Sequence, residues 1–381
     1  MSSFEDGLAV TRIVTTAPML GYFPVAAHFK LFDALVELGT PATSEDILEA
    51  YKRRLPAGEN AGSAPGLALI KDTLFAMTGL GLVDSEADNV YSPNGLTKHL
   101  VAHPPALHGG IHFSTEMMLA ATFLFPMLKA TDFEYPFREC ETPMQYAHKL
   151  MGNEEYSKKH TYSIMSEEGR MDSFNSFMVG KFFNGPSSTE RLQKLQYDLE
   201  AVLESAPPTA TKMVDIGGGR GEMLLQFKEA FPQLQDKDLV VEEFNDDLGD
   251  VPGITQVQWN FKDESSPQPI KGALIYHLAH VLHNLPDLDA VRLLQRISEA
   301  MEPHSRILIH ELARSKDLAL LHAAMMVLFG GRERTPEEFR KLAGAAGLRV
   351  TFEAFPPFGD GLIELMKPGV EVSLCRDATD G

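Results

Sequence analysis

Cysteine and tryptophan are almost absent from this chain. Cys140, Cys375 and Trp259 are all that its 381 residues hold of either type. Two thiols give no disulfide framework and no cysteine zinc site. The thirteen histidines are scattered, none in an H-E-x-x-H run, so no metal is called for. Positive charge is scarce as well. Against 53 acids stand 34 bases, a formal net charge of −19. Nucleic acid and anionic membranes both need a basic surface, so this balance argues against either partner. No apolar run reaches about 18 residues, and no charged segment near the N-terminus leads into a long apolar stretch. These lacks predict a soluble, cytoplasmic protein of a reducing compartment.

What the chain has is apolar residues, 44% of the total, enough to fill the cores of two domains. Residues 8–185 read mostly as helix. Leu31, Phe32, Leu35, Val36 and Leu38 have helical spacing, and Gly39 stops them. Thr43-Ser-Glu-Asp46 looks like an N-cap for a helix carrying Ile47, Leu48 and Tyr51. A helix over 67–78 runs into Gly79-Leu-Gly-Leu-Val83, a polar turn and Val90-Tyr-Ser-Pro93. Three helices and a small hairpin outline a winged helix. With this acidity a dimerisation use is preferred over DNA binding. Residues 107–130 and 160–183 are apolar helices rich in Met and Phe. Such residues serve as plain core, or as a flexible wall for a small hydrophobic substrate. Asn184-Gly-Pro-Ser-Ser188 is the expected boundary. It divides a helical domain, 1–186, from a second domain, 187–381.

From residue 189 strands and helices alternate. Strands are expected near 213–216, 238–242, 255–258, 272–277, 306–310 and 348–354, with helices near 189–205, 221–231, 287–301 and 335–346. That pattern is α/β, a doubly wound, Rossmann-like sheet. Its most informative stretch is Lys212-Met-Val-Asp-Ile-Gly-Gly-Gly-Arg-Gly221. Asp215 stands at a strand tip, and Gly217, Gly218, Gly219 and Gly221 make a turn that brings backbone N–H groups close to a ligand. A dinucleotide, S-adenosylmethionine or a bare tight turn all fit the glycines. The acid favours S-adenosylmethionine, because a carboxylate attracts its ammonium group and repels a pyrophosphate.

Other candidates end neighbouring strands. Glu242 and Glu243 close the second strand, where an acid is placed to bond ribose hydroxyls. Asn260 has the groups to read an adenine edge, and Phe261 to stack on it. His283 follows the fourth strand, at the ligand edge of the sheet. An imidazole as a side-chain type titrates near neutral pH, which suits a histidine here to remove a proton from a hydroxyl. Glu311 ends the fifth strand, and Glu333 lies in Gly330-Gly-Arg-Glu-Arg-Thr335; either has the charge to hold and polarise that imidazole. His112, His280 and His283 are also candidate donors to a substrate carbonyl.

Together these motifs resemble the plant and fungal class of S-adenosylmethionine-dependent small-molecule O-methyltransferases, which includes caffeate O-methyltransferase. The resemblance rests on Asp215–Gly221, on Gln268-Pro-Ile-Lys-Gly-Ala273 with Leu282-His283 and Pro286-Asp287, on Ala300-Met301 with Ile307–Glu311, and on Gly330–Thr335. Thr142-Pro-Met-Gln-Tyr-Ala-His148 and Phe174-Asn-Ser-Phe-Met178 are similar to substrate-side helices of its fungal branch. The resemblance implies His283 as base, flanked by Glu311 and Glu333. It implies S-adenosyl-L-methionine as cofactor, lined by Asp215, Gly217, Gly219, Glu243, Asn260 and Phe261. Met178 and Phe329 would border the substrate. The helical domain would form an intertwined homodimer. Four positions depart from the family pattern: Ala279 for a basic residue, Asn284 for an acid, Leu285 for an aromatic and Asn260 for an acid.

The reading is an O-methyltransferase acting on a hydroxyl of a small hydrophobic polyketide or phenol. A pericyclase or isomerase on the same fold, as in fungal polyketide–pyridone biosynthesis, is the alternative; a non-enzymatic scaffold or regulator is the second.

Overall fold

The computed structural model describes residues 3–55, 64–183, 187–244, 251–263, 265–357 and 359–369. Residues 184–186 of the expected boundary lie outside them. The chain divides into two compact units, Met1–Phe125 with Ala147–Gly185 and Pro126–Tyr146 with Pro186–Gly381. The expected domain 1–186 includes 126–146, but this segment packs within the second unit. Its Tyr135 hydroxyl lies 3.4 Å from Met326 Sδ, and Thr142 Oγ1 is 3.5 Å from the Leu328 carbonyl. Sequence spacing carries no trace of that long-range packing.

The first unit follows its local signals. Leu31–Leu38 is helical and ends on Gly39 at φ 65. Left-handed backbone there needs a residue without Cβ. Ser44–Arg54 starts with a full capping box, Thr43 with Asp46. Leu67–Gly79 is the third helix. The expected small hairpin of this otherwise all-α domain is present and gains a third strand. Strands β1 (Ala42–Thr43), β2 (Asp84–Ala87) and β3 (Val90–Ser92) pair in the order β1-β3-β2. The core joins Phe32, Leu35, Ile47, Ile70, Leu74 and Tyr91.

The stretch expected as one helix at 107–130 is helix Pro104–His112, a π turn Phe113–Met117 and helix Met118–Ala130. Pro104–Ala130 is long and apolar enough to cross a membrane by length and composition, although His108, His112, Ser114 and Glu116 interrupt its apolar run. It nevertheless carries a buried ion cluster: Glu116 pairs with Arg170, and His112 Nδ1 lies 3.2 Å from Glu116. The stretch 160–183 breaks at Gly169, φ 69, into helices Thr161–Glu167 and Met171–Phe183.

The second unit is built on a seven-stranded sheet. Its strands are β4 (Met213–Ile216), β5 (Leu239–Glu243), β6 (Thr255–Gln258), β7 (Ile275–Ala279), β8 (Arg306–Leu312), β9 (Arg349–Ala354) and β10 (Asp360–Met366). They order β6-β5-β4-β7-β8-β10-β9. The first five are parallel, while β10 runs antiparallel to both neighbours. β7 starts later than the expected 272, because Gly272 at φ 65 is still in a turn. Strand β10 and helix Ala319–Phe329 were not among the expected elements.

Side-chain alternation shows that the sheet is covered on both faces. Val214, Ile216, Tyr276, Leu278, Ile307, Ile309, Ile363 and Leu365 share one core with helices Asp287–Ala300 and Pro336–Ala345. Met213, Leu239, Val241, Ile275, Leu308 and Leu362 share another with helices Ser188–Lys194, Leu199–Glu204 and Glu222–Ala230. Period-two alternation puts odd and even positions into different cores. It also decides which polar residues meet at the strand ends.

Candidate active site

The glycine turn follows β4 directly. Gly217, Gly219 and Gly221 have φ of 68, 60 and 76. A Cβ on Gly218 would meet the Asp215 carboxylate at 2.4 Å, and one on Gly221 would meet Ile254 at 2.1 Å. Each glycine is therefore required by backbone conformation or by space. The turn is held by its neighbour: Gly217 N–H donates to the Glu242 carbonyl (2.8 Å) and Gly219 N–H to Glu243 Oε1 (2.8 Å). Phe244 N–H donates to Glu243 Oε2 at 3.1 Å. Burial raises the Glu243 pKa, although these backbone bonds oppose the shift. Each carboxylate oxygen keeps a lone pair for a further donor.

The other predicted cofactor residues are more inwardly engaged. Asp215 is 1% exposed, and its Oδ1 lies 2.8 Å from His277 Nδ1. Asn260 Oδ1 accepts the Lys262 N–H at 3.1 Å. Phe261 packs edge-on to Trp259 with ring centroids 6.0 Å apart. Glu242 turns to the opposite face from Glu243 and accepts from Gln268 Nε2 at 2.7 Å. Burial pushes its pKa up to about 8.

His283, Glu311 and Glu333 converge. His283 sits in the short turn Leu282–Asn284 beyond β7 and is buried. Its Nδ1–H donates to Glu333 Oε1 at 2.9 Å. Glu311, on β8, accepts the His283 backbone N–H with Oε1 at 3.2 Å and places Oε2 3.7 Å from His283 Nδ1. An ionised carboxylate only accepts, so the Nδ1 contact fixes the tautomer and leaves Nε2 as the basic nitrogen. Nε2 makes no hydrogen bond among the described residues.

Two features missed by the sequence reading hold that turn. Arg334 is fully buried; its guanidinium donates to the carbonyls of Leu282 (2.6 Å) and Leu285 (2.7 Å) and to Asp287 (2.9 Å). Gly331 lets the acidic loop come this close, since a Cβ there would meet the His283 carbonyl at 2.1 Å. The Gly330-Gly-Arg-Glu-Arg spelling was the available signal, but only its glutamate was read as functional.

His280 joins the same group. It stands at φ 54, with Nε2 3.2 Å from Asp360 Oδ1 and Nδ1 3.9 Å from Glu311 Oε2. Asp360 also takes Arg191 at 2.8 Å. Burial works to raise the Asp360 pKa, but the His280 hydrogen bond and the neighbouring positive charges overcome it and hold the carboxyl well below the usual range. Phe329 is buried at the end of helix Ala319–Phe329.

A second polar file lies on the opposite strand parity. His277 is fully buried between Asp215 and His310, with its Nε2 2.6 Å from His310 Nδ1. Burial holds His310 well below its ordinary pKa, hence neutral, and the neighbouring His277 adds to the effect. No motif flagged His277 or His310, because they read as ordinary strand residues.

His112 and Met178 belong to the first unit. His112 is buried beside Phe174 and Phe177, with centroids 5.1 and 6.0 Å away. Burial, with the Arg170 charge, lowers its pKa to about 4. Met178 is half-buried in helix Met171–Phe183.

Comparison with known proteins identifies the family. Residues 150–349 match the family model of the O-methyltransferase domain. The chain is 48% identical over 364 residues to O-methyltransferase bfoE of Aspergillus brasiliensis, covering 95% of this chain and 96% of that one. It is 46% identical over 373 residues to O-methyltransferase aunE of Aspergillus niger, covering 95% and 97%. Among solved structures, a protein described as a pericyclic reaction enzyme superimposes with a TM-score of 0.75 at 21% identity, covering 96% of this chain and 90% of that one; at that identity the likeness is one of fold. With nearly its whole length matched at this identity, the chain belongs to the O-methyltransferase family.

Proposed function

We propose that the chain transfers a methyl group from S-adenosylmethionine to a hydroxyl of a small hydrophobic polyketide or phenolic metabolite, with His283 as general base. The observation that carries this reading is the His283–Glu333 hydrogen bond at 2.9 Å, which leaves Nε2 ready to accept a proton. As the hydroxyl proton moves to Nε2, the ring becomes cationic. Glu333 and Glu311 stabilise that charge in a buried setting. Arg334 and Gly331 keep the turn in register. No other proton acceptor is needed.

The glycine cradle fits the cofactor. It has no room for side chains at Gly218 or Gly221, and Glu243 stands against it with lone pairs to spare. Asp215, Gly217, Gly219, Glu243, Asn260 and Phe261 are the residues to hold it. When bound, S-adenosylmethionine supplies a methyl group activated by a sulfonium. His280 and Phe329 are assigned to the substrate side, as are His112 and Met178; alanine at any of them should raise KM more than it lowers kcat.

We assign the protein as a cytoplasmic homodimer. Helix Ser3–Val14 leaves Phe4, Ile13 and Val14 exposed at 73%, 74% and 66%, an apolar surface suited to a second copy. Light scattering should give a dimer, and a wild-type monomer would end that assignment.

A second reading, a pericyclase or isomerase, draws on Ala279, Asn284 and Leu285 and on the local engagement of Asn260. Mass balance separates the two. A product one methyl heavier, with equimolar S-adenosylhomocysteine, supports transfer. A mass-neutral product with no S-adenosylhomocysteine overturns it in favour of the second reading.

A further inference from the structure

We propose that His280, His283 and Glu311 form a binding site for a zinc-class divalent cation, and that the cation switches the base off. Each residue offers one donor atom, and the three atoms lie within 4.8 Å of one another, all on buried side chains. Glu311 Oε2 is the shared point, 3.9 Å from His280 Nδ1 and 3.7 Å from His283 Nδ1. Tetrahedral bonds of roughly 2.0–2.1 Å put neighbouring donors about 3.3 Å apart. The two Glu311 contacts need to close by about half an ångström, and the His280–His283 separation, within 4.8 Å, by up to about 1.5 Å, which side-chain rotation supplies.

An independent observation points to a missing positive ligand. Glu311 Oε2 and Glu333 Oε2 are buried and accept no hydrogen bond among the described residues. Unsatisfied buried carboxylate oxygens are costly, and a cation bound by Glu311 Oε2 removes the cost at that oxygen and places positive charge beside Glu333. Glu333 Oε1 lies 2.9 Å from His283 Nδ1, so a second carboxylate borders the three donors.

The surroundings orient the ligands. Asp360 accepts from His280 Nε2–H at 3.2 Å and is itself fixed by Arg191 at 2.8 Å. A carboxylate on one ring nitrogen directs the other toward a metal. Two imidazoles with one or two carboxylates suit zinc-class ions. Magnesium and calcium favour six or more oxygens.

The consequence rests on the methyl-transfer reading. A cation on His283 Nδ1 takes the place of the proton held there. A neutral ring then carries its single proton on Nε2, having lost one to solvent at Nδ1 and gained one at Nε2. Nε2–H donates and no longer accepts, so proton removal from substrate stops.

The test titrates the full chain with Zn2+ against a chromophoric chelator, with neither substrate nor methyl donor present. Binding therefore succeeds or fails independently of the methyl-transfer reading. His99 and His103, an exposed pair with rings 4.2 Å apart, are replaced by alanine throughout so that they do not bind the probe. We expect one zinc per chain with Kd on the order of micromolar or tighter. His280→Ala and Glu311→Gln should each weaken binding by about tenfold or more, with melting curves confirming that each is folded. Should either fail to fold, Co2+ added to the parent chain reads the same site. Strong visible bands of a four-coordinate ion support it, and the weak spectrum of a six-coordinate ion overturns it. Zinc affinity equal in the parent chain and His280→Ala also overturns the site. Zinc that binds but leaves turnover unchanged overturns the switch.

Discussion

Two of the acid–imidazole pairs near the carboxyl edge of the sheet differ at one atom, and only one of them serves as the proposed base. His277 Nδ1 lies 2.8 Å from Asp215, and His283 Nδ1 lies 2.9 Å from Glu333. Both acids are buried. The difference is the far nitrogen. His277 gives its Nε2 to His310 at 2.6 Å, inside the core. His283 stands one turn past the strand end, where Nε2 has no such claim. A buried imidazole with both nitrogens engaged ties strands together; one with a single engaged nitrogen moves a proton.

The largest expected effect separates the two pairs by what each loses. His283→Ala should lower turnover by about 10²–10⁴-fold with little change in melting temperature. His277→Ala should cost about 3–5 kcal/mol of stability, because Asp215 is left buried and unpaired, while turnover of the folded fraction changes far less. Initial rates and thermal melts on both variants measure this. Equal loss of turnover in the two would erase the distinction.

Glu333→Gln keeps the shape and removes the charge. Loss of one charge-assisted bond, about 1.5–3 kcal/mol, predicts turnover about 10–10²-fold lower. At saturating S-adenosylmethionine, Asp215→Asn should leave kcat of the folded fraction nearly as it is, whereas Glu333→Gln lowers it. An equal loss of kcat in Asp215→Asn would mean that both pairs feed the base.

Gly331→Ala tests whether the approach of the acidic loop matters. Its Cβ would meet backbone, the His283 carbonyl at 2.1 Å, so the loop must shift. Overpacking of this kind costs about 1–3 kcal/mol. Both turnover and melting temperature should fall. Wild-type values for both would remove Gly331 from the positioning set.

The smallest effect concerns a third carboxylate on the same edge. Burial raises Glu242 to about 8, against an ordinary 4.5. Between those values the folded state binds more proton than the unfolded one, so this group makes stability fall as pH rises through the window. Glu242→Gln, which still accepts from Gln268, should melt higher than wild type at pH 8 and match it near pH 4.5. A scan showing the same difference at both pH values would contradict the buried-acid account.

Much of the fold and of the site was legible in the amino-acid sequence. The spelling Asp215-Ile-Gly-Gly-Gly-Arg-Gly221 specifies a strand, a tip and a turn, because left-handed backbone and close packing exclude other residues. Thr43 with Asp46, Gly39 and the helical spacing of 31–38 placed their elements for equally local reasons. His283, Glu311 and Glu333 were found as residues at or beyond strand ends and in a glycine loop, and the structure brings them together.

What stayed hidden depends on partners distant in the chain. Strand β10 carries no strong alternation of its own, being buried from Gly361 to Met366, and exists by pairing with β8 and β9. Asp360 therefore could not be placed beside His280. Arg334 reads as a surface arginine until the turn it clamps, far back in the chain, folds over it. His277 reads as an odd residue in an apolar strand until parallel pairing sets it opposite Asp215. Sequence alone determined the turns, caps and strand ends, because backbone sterics and hydrophobic period act over a few residues. Only the tertiary structure decided which imidazole keeps a free nitrogen, since strand register and the fold of one loop over another determine where each proton can go.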